Sequence, residues 1–124
     1  MPEPALKPLL QCRDDGRIRV VSIRLPEVYR AETLEQLGRQ IRRAIEDAGA
    51  GASFVLDLSR VTFLTSAALG LVTNIWSQLA PRGYPFAVAG IGGEVARVVE
   101  TVRLADVMPV FTTVEEALAA LRCE

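Results

Sequence analysis

The sequence predicts one α/β domain, in which a mixed central β-sheet with an N-terminal hairpin is flanked by about four helices. The chain has 124 residues, the length of a single domain. Half of these residues are apolar, which is enough for a packed core. Strand-like and helix-like stretches alternate after the hairpin, as they do in sheets with crossover helices. Residues 1–124 are therefore treated as one domain.

The first part of the chain is predicted to form the hairpin and a helix. Strand-like residues 6–13 and 17–25 flank Asp14-Asp15-Gly16, which contains the Asp-Gly signal of a tight turn. Residues 1–16 thus hold the first strand and this turn. From about Ala31, apolar residues recur at helical spacing, and Gly49 ends the pattern.

The rest of the chain alternates predicted strands and helices. The apolar runs at residues 54–58 and 86–91 are typical of strands buried on both faces, and a short strand follows at residues 108–111. The last helix begins with a capping-box signature formed by Thr113 and Glu116. The predicted strands are residues 54–58, 86–91 and 108–111, and the predicted helices begin at residues 65–66, 92–93 and 113 and end near residues 80, 104 and 121.

Composition excludes several classes of function. The 14 basic and 15 acidic residues give a net charge of −1, which provides no general attraction to nucleic acid. The chain has no histidine, which removes Ser-His and Cys-His catalysis and imidazole metal sites. No nucleophile–base pair or metal-ligand cluster is recognisable. We therefore expect a binding protein with no enzymatic activity, no metal and no cofactor.

Several features predict a cytoplasmic protein. The N-terminus lacks the basic and then apolar pattern of a signal peptide. Cys12 and Cys123 form no CxxC pair, so reduced thiols are expected. The uncharged run of residues 61–81 is long enough to cross a membrane, but polar residues are spread through it. A strand followed by a helix fits this run better than membrane insertion.

Residues 54–70, FVLDLSRVTFLTSAALG, resemble the signature of the STAS domain. In that signature an apolar strand ends in Asp-Leu-Ser, and Asp-Ser-Ser/Thr-Gly-Leu-Gly follows at a helix start. Residues 95–99 and 110–121 resemble the family more weakly, so the resemblance covers most of the chain from Arg17 onward. STAS domains occur in anti-sigma factor antagonists and in the cytosolic tails of sulfate transporters. The resemblance implies their fold, with the order of elements given above.

The resemblance also implies a phosphorylation site at Ser66. In the family's pattern the serine after the Asp is phosphorylated by a partner kinase, and Ser66 occupies that position. The segment 25–29, LPEVY, replaces the family's usual Gly-x-Leu-Asp. Within the motif Leu69 and Gly70 agree with the family, whereas Thr65, Ala67 and Ala68 replace its Asp, Ser or Thr, and Gly.

The residues alone leave two interpretations of Ser66 open. A phosphate is favoured in the first turn of a helix, and its charge would repel an acidic or apolar partner docked there. Alternatively, Thr65 and Ser66 only cap the helix, which contributes about 1 kcal/mol in many proteins.

The helix after Ser66 has a small, polar and uncharged face opposite its predicted core stripe. Leu69 and Trp76 lie at the border between the two. Trp76 either anchors a partner or lies at the rim of the core. The core stripe comprises Ala68, Leu71, Val72, Ile75 and Leu79, and the predicted partner-binding residues are Thr65, Ser66, Leu69, Gly70, Thr73, Trp76 and Ser77.

Asp57 is a further candidate, because it lies at the end of a predicted parallel strand, where α/β sheets often place ligand contacts. Hydrogen bonding to neighbouring loop amides is the preferred interpretation. Residues 90–93, GIGG, lack a full phosphate-binding motif and are predicted to form a turn.

Two functional hypotheses follow. The leading one is a bacterial regulator of transcription resembling an anti-sigma factor antagonist, which binds a serine-kinase anti-sigma factor and is released when Ser66 is phosphorylated. The alternative is a constitutive STAS subunit of a membrane transporter assembly, which docks on a transport ATPase without a phosphorylation cycle. A third possibility, an enzyme, has little support in the sequence.

Overall fold

The computed structural model describes residues 9–122, and it confirms one α/β domain with a mixed sheet. Residues 6–8 of the first predicted strand lie outside the described residues. The helices are α1 (Ala31–Ala48), α2 (Ser66–Leu79), α3 (Gly93–Thr101) and α4 (Val114–Arg122). The strands are β1 (Leu10–Asp15), β2 (Ile18–Ile23), β3 (Glu27–Val28), β4 (Ser53–Asp57), β5 (Phe63–Leu64) and β6 (Phe86–Ala89).

The main sheet has the strand order β1-β2-β4-β6. The hairpin pairs β1 and β2 antiparallel, whereas β2, β4 and β6 run parallel to one another. Because Asp15 pairs with Ile18, the hairpin turn is Gly16-Arg17, which corrects the predicted turn at residues 14–16. Gly16 has a φ of 61°, a conformation that glycine adopts without strain.

Both faces of the sheet are covered by helices. Along β4, Phe54 and Leu56 contribute to the larger hydrophobic cluster, which also contains the buried hydrophobic residues of α1, α2 and α3. Val55 belongs to a smaller cluster on the other face, where it packs with Ala117 and Leu118 of α4. The alternation follows from the opposite directions of successive side chains in a strand, and it explains the continuous apolar run.

The predicted strand at residues 108–111 is reduced to a single parallel bridge between Val88 and Val110. The Val88 carbonyl accepts a hydrogen bond from the Phe111 N–H at 2.8 Å, and the Val88 N–H donates one to the Pro109 carbonyl at 3.0 Å. Extending the ladder in one direction requires an N–H on Pro109, which proline lacks. In the other direction it requires the Thr113 N–H, which instead donates to Glu116 Oε1 at 3.2 Å. The capping box predicted for α4 therefore ends the pairing.

The third predicted helix is also shorter than expected. It ends at Thr101, and a 3₁₀ turn, Leu104–Asp106, follows. Arg103, between them, has a left-handed φ of 56°, which breaks the helix before residue 104.

A second, two-stranded sheet was not predicted. It pairs β3 with β5 in parallel, with Glu27 opposite Phe63 and Val28 opposite Leu64. The Thr65 N–H extends this pairing by donating to the Val28 carbonyl at 3.3 Å. Because β3 leads into α1 and β5 leads into α2, the small sheet brings the beginnings of these helices together.

The uncharged run at residues 61–81 forms β5, α2 and the start of a 3₁₀ turn, as the strand-then-helix interpretation predicts. Within residues 9–122 no helix combines the length and apolar character needed to span a membrane.

Candidate protein-binding site at the start of helix α2

Thr65 caps helix α2. Its backbone is extended, with φ −99° and ψ 165°, and its Oγ1 accepts a hydrogen bond from the Ala68 N–H at 3.3 Å. Ser66 is the first helical residue and is exposed. The cap bond is therefore made by Thr65, and the Ser66 side chain is not needed for it.

The first turn of α2 differs in charge from those of the other three helices. It holds no acidic residue, whereas the first turns of α1, α3 and α4 contain Glu32, Glu94 and the pair Glu115 and Glu116. The partial positive charge of a helix N-terminus is usually offset by such carboxylates. At α2 it is not offset from within the turn, so a negative group on Ser66 would be electrostatically favourable.

The outer face of α2 has the small and uncharged character that the sequence predicts. Ser66, Gly70 and Ser77 are exposed, and Thr73 is half-buried. The hydroxyls of Thr73 and Ser77 donate to the helix's own carbonyls, on Leu69 and Asn74, at 2.9 and 2.7 Å. A partner could therefore pack against this face without having to satisfy either hydroxyl.

Gly70 makes this face flat. A Cβ atom added there would meet nothing within 4 Å. The fold itself therefore does not require a glycine at this position, although glycine in a helix costs about 1 kcal/mol relative to alanine. The arrangement suits close approach by a second molecule.

The structure corrects the prediction for Leu69. This residue was placed at the border of the partner surface, but its side chain is 1% exposed and lies in the larger hydrophobic cluster. Leu71, which was predicted in the core stripe, is only half-buried. The buried arc of α2 is thus rotated toward Leu69, the side that faces the larger hydrophobic cluster.

Trp76 is half-buried and packs against the edge of the larger cluster. This placement agrees with the interpretation that Trp76 lies at the rim of the core.

Asp57 has the structural role that the sequence favours. Its two oxygens accept hydrogen bonds from the Ser22 hydroxyl at 2.8 Å and from the Ser59 N–H at 2.9 Å. Gly90 lies against this turn with a φ of 78°, and a Cβ there would lie 2.6 Å from the Ser59 nitrogen. Among residues 9–122 no group of three or more cysteine and acidic side chains is arranged to hold a metal ion.

Sequence reasoning missed two aromatic residues beside this site. Tyr29 and Phe63 are 44% and 45% exposed and pack edge to face, with ring centroids 6.0 Å apart. Tyr29 follows the predicted end of the second strand, and Phe63 lies in the strand-like start of the run at residues 61–81, but these two segments were not predicted to pair. Only the pairing of β3 with β5 brings them together, and two-residue strands carry no periodic signal.

Solved structures from bacteria and from a mammal share this fold. An anti-sigma factor antagonist from Mycobacterium paratuberculosis is 26% identical, with a TM-score of 0.80 over 91% of this chain and 92% of that one. A putative anti-sigma factor antagonist from Thermotoga maritima is 19% identical, with a TM-score of 0.78 over 91% and 94% of the two chains.

A third structure is the murine solute carrier 26 family member A9 anion transporter in the inward-facing state. It is 16% identical to this chain, with a TM-score of 0.76 over 90% of this chain but 19% of the transporter. At 16% and 19% identity, the transporter and the Thermotoga protein show the fold alone.

No curated protein sequence matches the chain. The family model that matches is that of the STAS domain, and it matches residues 13–117. This match takes in half of β1, all of β2, β4 and β6, the candidate site and the first four residues of α4. The chain therefore belongs to the STAS domain family.

Proposed function

We propose that this chain is a cytoplasmic regulator of the anti-sigma factor antagonist type. In its unmodified form it binds an anti-sigma factor that is also a serine kinase, and phosphorylation of Ser66 releases it. The observation that carries the proposal is the division of roles at the start of α2. Thr65 makes the cap bond, which leaves the exposed Ser66 hydroxyl outside it.

The local electrostatics support a switch that does not unfold the domain. A phosphate adds about 1.5 to 2 negative charges at neutral pH. Because the first turn of α2 contains no carboxylate, this charge would meet the positive end of the helix without an adjacent acid in that turn. The same charge would oppose an apolar or acidic partner surface at the small face of Ser66, Gly70, Thr73 and Ser77.

The first test is intact-protein mass spectrometry of the chain isolated from its native cells, with fragmentation to locate any phosphate. The expected result is one phosphate on Ser66 in some growth conditions. A chain that is never modified under several conditions would contradict the switch.

The second test compares the partners that co-purify with wild type, Ser66→Asp and Ser66→Ala. Ser66→Asp introduces a negative charge and is expected to weaken the complex at least tenfold. Ser66→Ala removes the hydroxyl without adding charge and should retain binding while abolishing phosphorylation. Equal affinity of the Ser66→Asp variant and wild type for a serine-kinase partner would refute release by charge.

A second candidate is a constitutive subunit of a membrane transporter assembly that docks on a transport ATPase. Two observations favour it. Thr65 and Ala68 stand where the family's phosphorylation motif has Asp and Gly, and a similar fold forms 19% of the murine anion transporter chain. Co-purification with a membrane ATPase, together with unmodified Ser66 in cells, would decide for this function.

A further inference from the structure

The two exposed aromatic residues form part of a layered arrangement. Tyr29 packs its ring edge to face against Phe63, at an interplanar angle of 73°. The Arg30 guanidinium lies over the Tyr29 ring, 5.7 Å from the ring centroid. Such edge-to-face and cation–π contacts hold the side chains in place before any partner binds. A partner that binds here therefore does not have to order these side chains, which lowers the entropic cost of binding.

This arrangement adjoins the candidate site. Tyr29 and Phe63 are 44% and 45% exposed, although large apolar residues more often lie inside. Ser66 follows Phe63 by three positions, so their Cα atoms lie within about 11 Å of each other. A partner large enough to cover Ser66 and Gly70 would therefore reach the aromatic pair as well.

The two segments that contain the aromatic rings have a positive charge balance, in contrast to the whole chain. Residues 24–30 and 59–66 contain three exposed arginines, Arg24, Arg30 and Arg60, and one acid, Glu27, whereas the chain has a net charge of −1. Within residues 9–122 none of the three arginines is in an ion pair with a carboxylate. Adding Glu32, at the start of α1, and the Glu94–Arg97 ion pair of α3, the helix that contacts β5, leaves the balance positive.

We propose that Tyr29, Phe63 and Arg30 form a second docking point for the partner, which receives an acidic protein segment carrying an apolar side chain. The inference rests on the proposed function and deepens it by specifying the partner's chemistry. The apolar side chain packs against the two rings, and neighbouring carboxylates face the unpaired arginines. Tyrosine and arginine are the residue types that most often dominate binding energy at protein interfaces.

The position of Glu27 favours a protein segment over a nucleic acid. Glu27 lies opposite Phe63 in the small sheet and is exposed, so any ligand on the rings must pass beside its carboxylate. A polynucleotide carries a phosphate at every residue and would meet this charge. A protein segment can place an uncharged or basic side chain there and keep its acids near the arginines.

The test replaces Phe63 with the photoreactive residue p-benzoylphenylalanine in the native cells and identifies what becomes crosslinked under light. Fragmentation of the adduct gives the sequence of the attached segment. The expected adduct is a different protein, joined through a segment that contains acidic and apolar residues. Adducts with a second copy of this chain, with nucleic acid or with a basic segment would overturn the proposal, as would the absence of any adduct.

A matched pair of charge reversals tests the arginine contribution. Arg30→Glu is expected to reduce the adduct at least fivefold. Arg43→Glu makes the same change on the exposed surface of α1, about 20 Å along the helix from Arg30, and should leave the adduct unchanged. Equal adduct yields for the two variants would overturn the proposal. A thermal melt of each variant verifies that it is folded.

Adding Ser66→Asp to the photoreactive chain separates this inference from the proposed function. Loss of the adduct in this variant supports both. An unchanged adduct through an acidic and apolar segment contradicts release by charge at Ser66 but supports the aromatic docking point. If a partner binds in a Ser66-dependent manner and never crosslinks at position 63, the docking point is refuted and the switch is retained.

Discussion

Replacing Gly70 with alanine is expected to stabilise the protein. Gly70 lies in the interior of α2, and an added Cβ meets nothing within 4 Å. The gain therefore comes from helix propensity alone, about 1 kcal/mol in the free energy of unfolding. For a domain of this size that corresponds to a rise of about 4 °C in Tm. Differential scanning calorimetry and urea unfolding measure the two quantities independently.

Gly38→Ala provides the matched control, since Gly38 is also a glycine in the interior of a helix. There the added Cβ would lie 3.1 Å from Leu71 Cδ1 and 3.1 Å from an Arg42 nitrogen. Both side chains must shift, so the propensity gain should be largely or wholly lost. A fall in Tm for Gly70→Ala, or equal shifts for the two variants, would refute the conclusion that Gly70 faces open space.

The same position tests the docking surface. A longer side chain in Gly70→Gln has room in the isolated domain and should leave its Tm within a few degrees of wild type, because glutamine is a good helix former. It would project from the face on which we propose that the partner packs. We therefore expect Gly70→Gln to weaken partner binding at least tenfold, and an undiminished affinity would place the partner elsewhere.

The remaining predictions concern the core, a tight turn and an ion pair. Leu69→Ala should lower the free energy of unfolding by about 2 to 5 kcal/mol, whereas Ser66→Ala should change it by less than about 0.5 kcal/mol, as urea titrations will show. Gly90→Ala should lower the free energy of unfolding by at least about 2 kcal/mol, because its Cβ would lie 2.6 Å from the Ser59 nitrogen at a φ of 78°. Gly92→Ala has open space but replaces the N-cap of α3, so it should cost about 1 kcal/mol or less in the same urea titrations. The hydrogen bond from Arg19 lowers the pKa of Asp14, so the stability from this pair is present above about pH 4 and lost as the pH falls through the lowered pKa. In Asp14→Asn the decrease in Tm between pH 5 and pH 3 should therefore be smaller than in wild type, and an identical decrease would contradict this assignment.

Much of the fold could be predicted because long elements carry periodic signals. The helix that begins at Ala31 and the strand around residues 54–58 were predicted nearly to their observed bounds. The strand at residues 108–111 was overpredicted, since its composition is strand-like but Pro109 cannot extend the ladder. The composition of a segment indicates its tendency to form a strand. Whether the strand pairs with a neighbour also depends on which backbone N–H groups are free to donate.

The site was predicted in part, and the limits have physical causes. The cap at Thr65 and the small outer face of α2 depend only on local sequence, and both are present. Leu69 was misplaced because a helical wheel gives angles around the helix but not the side from which the rest of the domain covers it. Tyr29 and Phe63 are 34 positions apart in the sequence, so only the parallel pairing of β3 with β5 makes them neighbours.

The unequal hydrophobic clusters on the two sides of the sheet have a consequence for how the domain opens. Helix α4 packs on the smaller cluster, and Arg122 near its end pairs with Asp15 at the exposed surface. Segments with few buried apolar contacts undergo local opening at low free energy. Amide protons of α4 should therefore exchange with solvent well before those of β4 and the buried side of α2. The proposed docking face would thus stay assembled while the C-terminal helix detaches and reattaches.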